Sequence, residues 1–246
     1  MTDSCYCLGA GKMTAECDEL GTAFCTVGTN FGYEDIDVKF GRYKEFKSTW
    51  CRSGKKVSFQ ITDYLSGAGP EVLEDFALSL YMKIAHRGDG NIYGPRLKEY
   101  LVSDEFLERN QPLYVKRSRN LSRSPLGENF DLRDTHNNLL ASGMLGESRN
   151  VSLNWTINEN RMRVGYCSTI MHVVAISSIL DNMNVPEYVH EYVLYHELLH
   201  LEDGLSNGRR HHTAEFRAKE HLYPRWRESE DWLRRLAAKK VDLSRS

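Results

Sequence analysis

His196-Glu197-Leu198-Leu199-His200 constrains this chain more than any other stretch. Two histidines four positions apart on a helix lie one turn apart and point the same way. Both imidazoles then reach a single metal ion, and imidazole donors suit Zn²⁺. Glu197, directly after the first histidine, is placed to take a proton from a metal-activated water and to pass it to a leaving amine. The expected chemistry is hydrolysis of a peptide bond.

The surroundings predict a helix. Asn184-Val185-Pro186-Glu187 reads as its start, with Asn184 as cap, Pro186 inside the first turn and Glu187 at the third helical position. Gly204 reads as its stop. Val189, Tyr192, Val193, His196, Leu199 and His200 share one broad face, and the run 188–195 is too apolar for a surface helix. Two core histidines and a glutamate without a metal would be costly to desolvate, which argues against a purely structural role.

A catalytic zinc has three protein ligands and one open position. Downstream, Arg209-Arg210-His211-His212-Thr213-Ala214-Glu215-Phe216-Arg217 offers His211, His212 and Glu215, and spacing alone does not separate them.

From about 131 to 236 the chain resembles the SprT-like zinc metallopeptidases and the related YgjP-type domains. Several pieces align in order. They are Asn129-Phe130-Asp131-Leu132, Ser152-Leu153-Asn154-Trp155, Arg163-Val164-Gly165-Tyr166-Cys167, and Ile176 to Asp181. Val185 to Val189, the motif itself and His212-Thr213-Ala214-Glu215-Phe216 follow. The last piece is similar to the family's H(S/T)xxF segment, whose histidine is the third zinc ligand. The resemblance therefore implies that His196, His200 and His212 are the metal ligands. Family members differ in the residue that stabilises the oxyanion; Tyr166, Tyr195, His221 and Tyr223 are candidates here.

Composition adds bounds. The 246 residues are 41% hydrophobic and 27% charged with a formal net charge of −2, the profile of a soluble globular protein. That balance calls for neither nucleic acid nor an anionic membrane. No apolar run approaches the roughly 20 residues of a spanning helix. The N-terminus lacks the pattern of a signal peptide, so a cytoplasmic location is expected. Five of the 6 cysteines, Cys5, Cys7, Cys17, Cys25 and Cys51, precede position 52, with Cys167 apart. Their spacing is poor for a structural zinc site, and reduced thiols are expected.

Alternation predicts strands around 36–40 and 57–61, with a hairpin turn at Ser53-Gly54 between Trp50 and Val57. Apolar periodicity predicts helices over 70–86, 96–108 and 131–140, and Trp232, Leu233 and Leu236 should pack inward from a last helix starting near Ser229. The basic stretch 116–125 reads as a solvated linker rather than a phosphate-binding site. Alternation at Val151, Leu153 and Trp155, then at Met162, Val164 and Tyr166, followed by the apolar run 172–179, predicts a three-stranded meander before the motif helix.

The resulting expectation is an α+β protein. Residues 1–30 form a poorly ordered leader and 31–125 a region of strands and helices. Residues 126–246 form a compact zincin-like domain whose small antiparallel sheet packs on the HExxH helix. The expected activity is that of a zinc metallopeptidase with one catalytic Zn²⁺ and a protein or peptide substrate. Glu197 is its general base and acid. A membrane partner is not expected, nucleic acid lacks a recognisable motif, and the sequence does not specify an oligomeric state. The alternatives are a binding or adaptor module on a zincin scaffold and a metal-dependent hydrolase of another bond. The adaptor is motivated by the resemblance, since eukaryotic SprT-like proteins cleave proteins crosslinked to DNA.

Overall fold

A computed structural model describes residues 18–87, 93–146, 150–205 and 212–243. The architecture is α+β: the described residues form eight α-helices and two three-stranded sheets. The chain divides into two compact units, Met1–Phe106 and Leu107–Ser246.

In the first unit α1 (Glu19–Asn30) precedes β1 (Asp35–Gly41), β2 (Ser48–Ser53), β3 (Lys56–Thr62), α2 (Pro70–Ile84) and α3 (Pro95–Leu101). The expectation of a poorly ordered leader over 1–30 is corrected for Glu19–Asn30, which form α1. Asp18 caps α1 by accepting from the Gly21 N–H at 2.7 Å, and Leu20, Ala23 and Phe24 are buried. Phe24 meets the Phe59 ring edge-on at 4.9 Å, and the Tyr81 hydroxyl donates to the Phe24 carbonyl at 3.1 Å. Cys5, Cys7 and Cys17 lie outside the described residues. The β2–β3 hairpin forms with the expected turn, Ser53 opposite Lys56. β1, however, runs parallel to β3, giving the order β1-β3-β2.

The expected single helix over 96–108 is two. α3 stops at Leu101, and α4 (Asp104–Arg117) restarts after Ser103, whose Oγ accepts from the Phe106 N–H at 3.2 Å. The division between the units falls inside α4, not at the expected 125/126 boundary. The basic stretch after α4 is no free linker either. Ser122 N–H donates to the Trp155 carbonyl at 2.9 Å and Ile157 N–H to the Asn120 carbonyl at 3.1 Å, which ties it alongside the end of β4.

The second unit continues with α5 (Leu132–Ala141), β4 (Ser152–Trp155), β5 (Gly165–Ser168), β6 (Val173–Ile176), α6 (Glu187–Glu202), α7 (Ala214–Glu220) and α8 (Trp226–Ala237). Asp131 caps α5 through the Arg133 N–H at 2.8 Å. The expected meander is corrected. The order is β4-β6-β5, with β4 parallel and β5 antiparallel to β6. All four β6 residues are buried, so this strand takes the centre, where both faces are covered. β5 is thereby an edge.

α6 carries the motif through the core. Val189, His190, Tyr192, Val193, Leu194, Tyr195, Leu198 and Leu199 are buried around it, which is why its sequence is apolar nearly all round. It starts two residues later than the expected cap: Pro186 is the N-cap, while the Asn184 N–H donates to the Asn182 side chain at 2.8 Å in the preceding turn. It ends where expected, with Gly204 left-handed at φ 68° just beyond. No helix among the described residues is long and apolar enough to cross a membrane.

Candidate metal centre

Three imidazoles converge at the C-terminal half of α6. His212 Nε2 lies 3.3 Å from His196 Nε2 and 3.2 Å from His200 Nε2. Of the candidates for the third position, His212 joins this cluster; Glu215 does not, and His211 lies outside the described residues.

Local sequence explains how His212 arrives there. Thr213 is the N-cap of α7, and its Oγ1 accepts from the Phe216 N–H at 3.2 Å. This is the usual geometry of a hydroxyl cap three residues ahead of the donor. The histidine thus precedes a fixed helix start, and Phe216 enters the core one turn later. Phe216 is fully buried and backs all three imidazoles, stacking on His200 with centroids 4.5 Å apart and meeting His196 at 5.2 Å and His212 at 4.9 Å.

The donor set fits zinc. Tetrahedral coordination with Zn–N near 2.0–2.1 Å separates two ligand nitrogens by about 3.3 Å. The spacing at His212 matches that figure. Three imidazole Nε2 atoms share one small space, an arrangement that a bound cation satisfies. His212 is exposed, so the cluster opens to solvent on one side, and no fourth His, Cys, Asp or Glu joins it among the described residues.

Glu197 points off the same helix and is 7% exposed. Burial pushes its carboxyl up to about 7, against the opposing pull of His196 and Arg163. β5 lies beside it at backbone distance. A Cβ on Gly165 would come within 2.6 Å of Glu197 Oε1 and 2.9 Å of Val193 Cγ1, so a larger residue would force a shift in this approach. Burial and the Glu197 charge together push the half-buried Cys167 thiol well above its ordinary range.

The four oxyanion candidates each have a partner of their own. The Tyr195 hydroxyl donates to the Lys219 carbonyl at 2.7 Å, and that of Tyr223 to Glu191 Oε2 at 2.9 Å. His221 stacks on Trp226 at 3.9 Å, and Tyr166 lies under the Arg163 guanidinium at 5.0 Å.

Sequence reasoning missed Glu220. Its side chain is 2% exposed, and its Oε1 lies 2.6 Å from His196 Nδ1. Tyr192 donates to the same oxygen at 3.0 Å, and Arg217 donates to Oε2 at 2.9 Å. Burial alone would raise this carboxyl, but the His196, Tyr192 and Arg217 hydrogen bonds and the His196 charge hold it well below the usual carboxylate range. The available signal was the four-residue spacing from Phe216, which places both on one face of α7.

No curated protein and no solved structure matches the chain. Residues 147–236, a stretch that holds His196, Glu197, His200 and His212, match the family described as YgjP-like, metallopeptidase domain, and are similar to it over that part of the chain.

Proposed function

We propose that this domain is a zinc-dependent metallopeptidase in which His196, His200 and His212 hold the ion and Glu197 is the general base and acid. The observation that carries the reading is the convergence of the three Nε2 atoms beside Glu197. A zinc ion held there supplies a Lewis acid that activates water and polarises a carbonyl.

The protein's own groups supply the rest. Glu197 takes the proton of the attacking water and later delivers it to the departing amine. Its burial raises the carboxyl and so strengthens it as a base. β5 is a sheet edge with Gly165 against Glu197, and an extended peptide pairing along it would bring its backbone to the base. The open side at His212 supports turnover over a closed structural site.

The test is cleavage of an unstructured protein substrate with and without a zinc chelator, alongside Glu197→Gln. Chelation should abolish turnover, and Glu197→Gln should lower it about 10²–10⁴-fold, the usual range for a lost general base, while zinc stays bound. Undiminished turnover in Glu197→Gln would sink the mechanism.

A further inference from the structure

We propose that Glu220 is a positioning residue that fixes His196 in the tautomer with its proton on Nδ1, leaving the Nε2 lone pair free for a metal. The inference rests on the zinc reading for its purpose, but its geometry stands without it.

The distance from His196 Nδ1 to Glu220 Oε1 is 2.6 Å, a charge-assisted hydrogen bond in which the imidazole N–H donates to the carboxylate. A neutral imidazole has a single N–H. Once Glu220 holds that proton at Nδ1, Nε2 can only accept. Nε2 is the atom that faces His212.

Glu220 is itself held from three sides. Tyr192 reaches it from α6 at 3.0 Å, one turn before His196, and Arg217 reaches it from α7 at 2.9 Å. With the residue 1% exposed, water offers no substitute. The carboxylate therefore joins the helix bearing His196 to the helix whose start carries His212. Both of its oxygens face donors, so an amide cannot replace it. A glutamine would place its NH₂ against either the Arg217 guanidinium or the His196 N–H.

Hydrogen bonds to the far nitrogen of a ligating histidine typically change metal affinity by 10–100-fold. Two measurements test the proposal. The first is the tautomer of His196 in metal-free wild type at pH 8, read from long-range ¹H–¹⁵N correlations. The expected state is Nδ1–H; an Nε2–H tautomer would overturn the proposal. The second is zinc affinity by chelator competition for wild type and Glu220→Gln, with thermal melting of each. Glu220→Gln should bind zinc roughly 10–100-fold more weakly and shift the His196 tautomer equilibrium. Unchanged affinity together with an unchanged tautomer in a folded Glu220→Gln protein would also overturn it.

If Glu220→Gln does not fold, the wild-type tautomer still decides. If wild type binds no zinc, the peptidase reading fails, and the same metal-free spectrum still decides whether Glu220 sets the tautomer.

Discussion

Gly165 lies against Glu197 so closely that a Cβ on the glycine would sit 2.6 Å from Glu197 Oε1 and 2.9 Å from its Cγ. The same Cβ would come within 2.9 Å of Val193 Cγ1, so a methyl group fits there only if a neighbour shifts. The edge strand and the Glu197 carboxyl are therefore set by one contact.

Gly165→Ala should displace Glu197 or push β5 away from α6. Misplacing a catalytic group by about 1 Å can cost on the order of 10²-fold in rate, so kcat/KM should fall about 10–100-fold. The glycine is set against Glu197 and Val193 rather than the three imidazoles, and zinc content should stay at the wild-type level. Steady-state kinetics with metal analysis checks both. Wild-type kcat/KM would show that the approach of β5 to Glu197 is not needed.

Glu197 should destabilise the metal-free fold at alkaline pH. Burial lifts its carboxyl to about 7 in the folded protein, against the ordinary 4.5. The folded state thus binds more protons between these values, and stability is lost as pH rises through about 7. Metal-free Glu197→Gln should be more stable than wild type at pH 8, by up to about 3 kcal/mol. The difference should vanish below pH 4.5. Urea unfolding at the two pH values measures it; equal stability at pH 8 would contradict the burial cost assigned to Glu197.

His190 should act with the opposite sign. It is 1% exposed, and burial lowers it from 6.5 to about 4, partly countered by Asp181. Here the unfolded state binds the extra proton, so stability is full above pH 6.5 and lost as pH falls through about 4. Burial lowers His136 too, adding the same sign. Because Glu197 opposes both in an overlapping window, the effect is best read in the Glu197→Gln background. There the unfolding free energy should drop by up to about 3 kcal/mol between pH 6.5 and 4 through His190 alone. His190→Leu should flatten most of that slope, and an unaltered slope would rule His190 out as its source.

Phe216 backs the three imidazoles from inside the core. Phe216→Ala should destabilise the fold by about 3–5 kcal/mol, the cost of a fully buried ring. Zinc affinity should drop with it, because the rings lose their common support. Phe216→Leu should restore most of the stability and part of the affinity. Denaturation and chelator competition read the two effects, and wild-type zinc affinity in a folded Phe216→Ala protein would remove the backing role.

The histidine cluster was legible because the HExxH pattern places fixed residue types at fixed spacing. His196 and His200 are one helical turn apart, and His212 precedes the cap that Thr213 makes for α7. These three, singled out in the sequence, are the ones that stand together. The β2–β3 hairpin and the stop at Gly204 were equally local signals.

What the sequence hid was non-local. Alternation marks strands but not their neighbours, so the insertion of β6 between β4 and β5 had no signature beyond its unbroken apolar run. The periodicity over 96–108 ran through the break at Ser103 because both helices turn an apolar face inward. Glu220 sits in a short, charged helix that reads as surface; only the packing of α7 on α6 buries it.

The most direct measurement is bound metal by elemental analysis in wild type, His212→Ala and Glu197→Gln. His212 is exposed, so its removal should leave the fold intact. The expected result is zinc in wild type, retained in Glu197→Gln and reduced by one equivalent in His212→Ala. No zinc in wild type after adding it back, or equal zinc in wild type and His212→Ala, would contradict the metal centre on which the peptidase reading stands.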